Sequence, residues 1–311
     1  MTQTLTPTVD FVDSTPIIDD PEALRARAAV DGYLFFKGLL PADDVLNVRR
    51  QMLQALADRG WLAAGIDLMD GIVDRAAFAR VTANEHDFCG VGLPPEAYRA
   101  IQHIEDFHRL AHHSRLLQVY GNLFGKPVFP HPRNIARVMI PADKASPTPP
   151  HQDFIHIQGT KNVWTAWFPL GDCPVELGGL AALAGSQRDG LLSYKAASGP
   201  GGLEAYLCDL DYPWATGHYA AGDVLTFSCQ TVHRATPNHY ADRIRLSCDY
   251  RYQPADEDIH ESSLKVHCEV DEWESIYADW RDDSLKYYWQ RRDLRLSDWD
   301  ETIRWQKDKI C

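Results

Sequence analysis

The chain has 311 residues, enough to bury a sizeable core as one large domain or two ordinary ones. Its formal charge, 31 − 44 = −13, repels phosphate backbones and anionic bilayers, so nucleic acid and membrane surfaces are poor partners. No apolar run approaches the roughly 20 residues that cross a bilayer, and the opening MTQTLTPTVDFVDSTPIIDD lacks the basic and apolar regions of a secretory signal.

In chain order, residues 1–20 read as a polar tail. Asp20 and Pro21 then open a helix that Gly32 closes, the usual asymmetry of helix ends. YLFFKGLL follows as a short apolar strand. In PADDVLNVRRQMLQALADRG the apolar residues Val45, Val48, Met52, Leu53 and Leu56 recur at helical spacing, and Gly60 ends the run. Residues 61–93 read as loops around short helices. From Pro95 to Phe124 the pattern predicts two helices broken near Ser114, with Leu116, Leu117, Tyr120, Leu123 and Phe124 as a buried stripe. Segment 21–124 is therefore expected to be mostly helical.

Beyond Gly125 the texture changes. RNIARVMIP, DFIHIQG, NVWTAWFPL, GGLAALAGS, DVLTFSC and RIRLSCDYRYQ are short, rich in β-branched and aromatic residues, and bounded by Gly, Pro or Asp. Such runs predict an all-β barrel or jelly roll over 125–254. Residues 255–311 read as a helical C-terminal extension. There Trp273, Ile276, Tyr277 and Trp280 mark an amphipathic helix, and SDWDE at 297–301 a capped helix start with Trp299 and Ile303 on one face. These tryptophans suit a core or an interface, and a homodimer contact is one use for them. The expectation is a single domain, 1–311, mainly β with N- and C-terminal helices. The seven cysteines (89, 173, 208, 229, 248, 268, 311) are odd in number and lack a C-x-x-C pair, which predicts free thiols in a reducing cytoplasm.

The chemistry gathers in PPHQDFIHIQG. His151 and Asp153 are two apart, which on a strand puts both on one face. A third candidate, His233, lies in GDVLTFSCQTVHRATPN after a tight turn and an apolar strand. Two imidazoles and one carboxylate on one face are the donor set of non-haem Fe(II) oxygenases, holding the ion while leaving positions open. With 13 histidines, chance pairs are expected. His108 and His112 have helical spacing but no third ligand in view. His156 would face away from His151, and His131 and His239 are peripheral candidates. On the next strand Arg243 and Arg245 share a face with Ser247 and Asp249. A guanidinium pointing into a barrel is costly without an anion, and a carboxylate matches its fork.

In DGYLFFKGLLPADDVLNVRRQML, PPHQDFIHI, WTAWFPL, GGLAALAGSQRDG, GDVLTFSCQTVHRATPN and RIRLSCDYRY, and over most of its length, the chain resembles the phytanoyl-CoA dioxygenase family of Fe(II)- and 2-oxoglutarate-dependent oxygenases. The resemblance implies a double-stranded β-helix, a cupin-like jelly roll. It implies Fe(II) on His151, Asp153 and His233, 2-oxoglutarate as cosubstrate and O2 as oxidant. Arg245 best matches the arginine that grips 2-oxoglutarate, from its spacing to Tyr252, with Arg243 as the alternative. Trp167 matches an aromatic beside the cosubstrate, and Asn134 and Arg137 are further pocket candidates. Two positions depart from the pattern: Ala235 replaces a small hydroxyl residue, and Gln187 replaces the histidine of a P-G-[ST]-H turn. In related halogenases a small residue replaces the carboxylate, so Asp153 favours hydroxylation, or a related desaturation or ring closure, of a small molecule of secondary metabolism. A cupin-like metalloprotein without 2-oxoglutarate, or a non-catalytic binding barrel, are the alternatives.

Overall fold

In the computed structural model, which describes residues 7–80, 88–141, 147–208 and 210–305, the chain enters the fold earlier than expected. Strand β1 (Thr8–Asp10) pairs in parallel with Trp214–Thr216. Phe11 then stacks on Phe35 with ring centroids 4.8 Å apart. Within the segment read as a polar tail, residues 8–10 thus form an edge strand next to the Phe11 anchor.

Helix α1 (Pro21–Asp31) begins where Asp20 accepts the N–H groups of Glu22 and Ala23, and ends at Gly32, whose φ of 72° suits glycine. Strand β2 (Tyr33–Phe36) is wholly buried. Helix α2 (Ala42–Ala57) buries Val45, Val48, Met52, Leu53 and Leu56, the stripe its spacing announced. A short α3 (Arg75–Phe78) follows. The expected pair over 95–124 is three helices: α4 (Pro95–Gln102), α5 (Glu105–Leu110) and α6 (Ser114–Phe124). The extra break has a local cause. The buried His108 ring sits 2.9 Å from the Gln102 carbonyl, so its Nε2–H donates there and caps α4. Its Nδ1 faces the Asn134 amide at 3.1 Å, which accounts for this imidazole without a metal.

The remaining elements are β3 (Val128–Pro130), β4 (Ile135–Met139), α7 (Phe154–Ile157), β5 (Trp164–Pro169), β6 (Leu180–Leu183), β7 (Tyr194–Ala196), β8 (Leu203–Ala205), β9 (Trp214–Thr216), β10 (Val224–Ser228), β11 (His233–Ala235), β12 (Arg245–Pro254), β13 (Ile259–His260), α8 (Trp273–Tyr277) and β14 (Leu296–Ser297). One sheet runs β2-β10-β5-β12-β3, with β4 also on β12; a second runs β1-β9-β6-β11. Tyr33, Trp167, Leu225 and Phe227 of the first meet Leu180, Ala182, Ala215 and Ala235 of the second. Two mainly antiparallel sheets closed face to face, with the parallel β1–β9 pair at one edge, make the expected jelly roll.

Strand β12 positions the site. All ten of its residues are buried, yet they alternate in kind. Leu246, Cys248, Tyr250 and Tyr252 join the apolar core under the helices. Arg245, Ser247, Asp249, Arg251 and Gln253 therefore face the other way, into the barrel.

Three expectations are corrected. DFIHIQG is not a strand but the helical turn α7. The C-terminal amphipathic helix shrinks to the five residues of α8, and Trp280 and Trp289 are buried within the chain's own core. Ser297 does not cap a helix: it lies in β14, and Asp300 instead accepts the Thr302 N–H at the head of a 3-10 turn, Glu301–Trp305. The cysteines also depart from the free-thiol expectation. Cys89 and Cys268 are joined and Cys208 is disulfide-bonded, while Cys173, Cys229 and Cys248 are free and buried. Spacing could not show this, because the Cys89–Cys268 partners are 179 residues apart and meet only through tertiary structure. Among the described residues no helix is long and apolar enough to cross a membrane.

Candidate metal centre

His233 begins β11, and His151 lies beside it in a reciprocal antiparallel bridge: His151 N donates to His233 O at 3.0 Å and His233 N to His151 O at 2.9 Å. The backbone thus sets two imidazoles side by side, ring centroids 4.2 Å apart. Asp153 arrives differently from the strand pleat the spacing suggested. It has αR geometry, φ −64° and ψ −30°, at the head of α7. The turn is held by Gln152, which is fully buried. Its Nε2 donates to the carbonyls of Gly190 and Gln230 at 2.7 and 2.6 Å. Its Oε1 accepts from Leu192 N–H at 2.9 Å and the Tyr194 hydroxyl at 2.8 Å.

The donor atoms face one another. Nε2 of His151 and of His233 lie 3.8 and 3.9 Å from Asp153 Oδ1. Among the described residues this is the one group of three His, Cys, Asp or Glu side chains whose ligand atoms lie within 4.8 Å of one another. The tautomers follow from geometry. Each Nδ1 points at a carbonyl, Pro149 O at 2.8 Å and Thr231 O at 3.1 Å, and a carbonyl only accepts. Both Nδ1 atoms therefore carry the proton, leaving both Nε2 lone pairs free. Burial, reinforced by the adjacent His233, pushes His151 down to about 3, and burial also lowers His233, so both rings are neutral near pH 7. For Asp153 burial works in the opposite direction, but Arg251, the two imidazoles and the Thr165 hydroxyl overrule it and hold the carboxyl well below its ordinary range. Its Oδ2 accepts from Thr165 Oγ1 at 2.7 Å and Arg251 Nη2 at 3.3 Å, which reserves Oδ1 for the centre. Two neutral imidazoles with free lone pairs and one ionised oxygen fit a divalent cation.

The trio lines a cavity that also reaches Arg245, Trp167 and Arg137. Arg245 is buried; Nε donates to Gly178 O at 2.8 Å, Nη1 donates to the Ser247 hydroxyl, and the guanidinium lies 5.2 Å from the Trp167 ring centroid. Among the described residues no carboxylate is within ion-pair distance of it. Arg243 lies apart from this cavity, in a bridge with Ile72 and 5.8 Å from the Tyr240 ring. Arg137 reaches the cavity but is committed to Asp249 Oδ2 at 2.7 Å. The structure does not bring Asn134 to the site; it faces His108 beneath the helices. His131 pairs with Gln253 at 2.8 Å, and His239 is exposed. Of the two departures, Ala235 lines the cavity, while Gln187 donates to the carbonyl of Ala29 at 3.0 Å and ties the turn to α1. Gln152, Thr165 and Arg251 escaped the sequence reading. Arg251 had a signal: it continues the period-two face of Arg245 and Asp249.

The model of the family described as phytanoyl-CoA dioxygenase matches residues 29–246. A 1-deoxypentalenic acid 11-beta-hydroxylase of Streptomyces arenae is 30% identical, over 79% of this chain and 86% of the relative; that of Streptomyces exfoliatus is 29% identical over 82% and 88%. Among solved structures, the epimerase SnoN in complex with Fe3+, alpha ketoglutarate and nogalamycin RO shares the fold, with a TM-score of 0.53 and 24% identity, covering 77% of this chain and 85% of SnoN.

Proposed function

On the premise that this chain belongs to the phytanoyl-CoA dioxygenase family, we propose that His151, Asp153 and His233 hold Fe(II) and that Arg245 grips 2-oxoglutarate. The protein is an Fe(II)- and 2-oxoglutarate-dependent dioxygenase that oxidises a C–H bond of a small organic molecule. When bound, the iron with 2-oxoglutarate and O2 supplies the oxidising power: one oxygen atom enters the substrate, the other enters succinate, and CO2 leaves.

The chain's own part is to bind, orient and exclude. His151 and His233 present Nε2 because backbone carbonyls hold their Nδ1 protons. Asp153 keeps a single oxygen free because Thr165 and Arg251 occupy the other. Arg245 offers its guanidinium to the distal carboxylate of 2-oxoglutarate, with Trp167 alongside. Phe227 and Leu180 line the same cavity and keep it partly dry. The hydroxylase relatives, and the retention of Asp153, support hydroxylation of a secondary-metabolite intermediate as the outcome.

The observation that carries this reading is the convergence of three oriented donors beside a buried arginine with no carboxylate at ion-pair distance among the described residues. Purified protein given Fe(II), O2 and 2-oxoglutarate should form succinate, slowly without substrate. His151→Ala should abolish it, and Arg245→Ala should chiefly raise the KM for 2-oxoglutarate. Succinate formation undiminished in His151→Ala would overturn the ligand assignment.

A further inference from the structure

A second cavity shares His151, Asp153, Arg137, Thr148 and Pro200 with the first but extends away from Arg245 and Trp167, which line the first alone. Four arginines line it, Arg133, Arg137, Arg251 and Arg304, against one carboxylate, Asp153. Arg137 is taken up by Asp249, and Arg251 reaches Asp153. Arg133 and Arg304 have no ion pair among the described residues. Arg133 donates through Nη1 to Ser262 O at 3.3 Å, and Arg304 through Nε to Ile155 O at 3.3 Å, with its guanidinium 5.0 Å from the Trp299 ring. The buried Nε atoms of Arg133 and Arg251 have no hydrogen-bond partner among the described residues. Four cations against the two carboxylates leave an excess of two positive charges, in a chain whose net charge is −13. Burial pushes Arg133 down to about 10, with Arg251 adding to it and Glu269 opposing it.

Guanidinium groups that outnumber the carboxylates of their cavity call for an anionic ligand, and their forks suit carboxylate and phosphoryl oxygens. Ile135, Ile157 and Pro200 supply an apolar wall to the same space. We propose that this cavity holds the substrate, and that the substrate carries an anionic group, carboxylate or phosphoryl, gripped by Arg133, Arg251 and Arg304. Its apolar skeleton lies on the Ile135 wall and brings a C–H bond to the metal ligands. The inference rests on the Fe(II)/2-oxoglutarate reading above, which assigns the Arg245 cavity to the cosubstrate.

The test is calorimetry on anaerobic protein carrying Fe(II) and saturating 2-oxoglutarate, titrated with 1-adamantanecarboxylate, 1-adamantylphosphonate and the neutral 1-adamantanecarboxamide. An anion should bind at least tenfold more tightly than the amide, and whichever anion binds better identifies the group. Arg304→Leu and Arg133→Leu should each cut that preference severalfold, whereas Arg304→Lys should keep part of it; Arg304 is only half-buried, in the 3-10 turn Glu301–Trp305. Equal binding of amide and anions, or a preference that survives both leucine variants, overturns the proposal. Failure of the 2-oxoglutarate reading is seen separately, as the absence of the visible charge-transfer band when 2-oxoglutarate is added to the Fe(II) protein.

Discussion

At the scale of single residues, the centre is made by what surrounds the donors. Thr165 shows this most simply: its hydroxyl donates to Asp153 Oδ2 at 2.7 Å, on the oxygen that does not face the imidazoles. Thr165→Val keeps the shape and removes the donor. Groups that orient a metal ligand are worth tenfold to a hundredfold in affinity, so Fe(II) or Co(II) affinity should fall about tenfold. One hydrogen bond contributes only about 1 kcal/mol to folding, so the melting temperature should move by a few degrees at most. Metal titration of both proteins decides it, and an unchanged affinity removes Thr165 from the site. In the sequence Thr165 was one hydroxyl in an apolar strand. Its sharing a face with Trp167 was visible, but its pairing with a carboxylate on another element was not.

At the scale of elements, the strands whose side chains alternate were legible and the turn that carries Asp153 was not. β12 announced itself through polar and apolar residues in strict alternation, which places Arg245 on the inner face. α7 did not, because Phe154, Ile155 and Ile157 have strand-like composition. Long-range bonds to Gln152 decide its shape, and they come from Gly190, Leu192, Tyr194 and Gln230. Arg133, Arg304 and the Cys89–Cys268 pair were hidden for the same reason: nothing local relates them. Gln152→Leu should therefore do two things. It strands two carbonyls, an N–H and a hydroxyl in the interior, for a loss of about 3 kcal/mol or more. It also releases the turn, so metal affinity should fall further than in Tyr252→Phe, which breaks a buried 2.7 Å bond to Ala111 O far from the donors. Paired denaturation and metal titrations separate the two effects; equal metal affinity in the two variants would show that Gln152 only stabilises the fold.

At the scale of the whole molecule, composition told the truth on average and concealed the interior. An excess of acidic groups argued against polyanionic partners, yet the barrel gathers arginines around its second cavity and histidines throughout its core. His108, His131, His151 and His156 are each pushed down to about 3, burial being the largest cause in every case. In the unfolded chain an imidazole titrates near 6.5. Between pH 6.5 and about 3 the unfolded state therefore holds more protons than the folded one, and stability falls as pH falls. The contribution is fully present above pH 6.5 and erodes at about 1.4 kcal/mol per pH unit for each such ring. By pH 5 four rings together remove on the order of 8 kcal/mol, comparable with the roughly 5–15 kcal/mol that holds a domain folded. Chelator-treated protein should thus melt at steadily lower temperature from pH 7 to pH 5, and lose its fold before the carboxylates titrate. Calorimetry across that range reads it directly, and a flat melting temperature down to pH 5 would mean that these imidazoles are hydrated rather than buried.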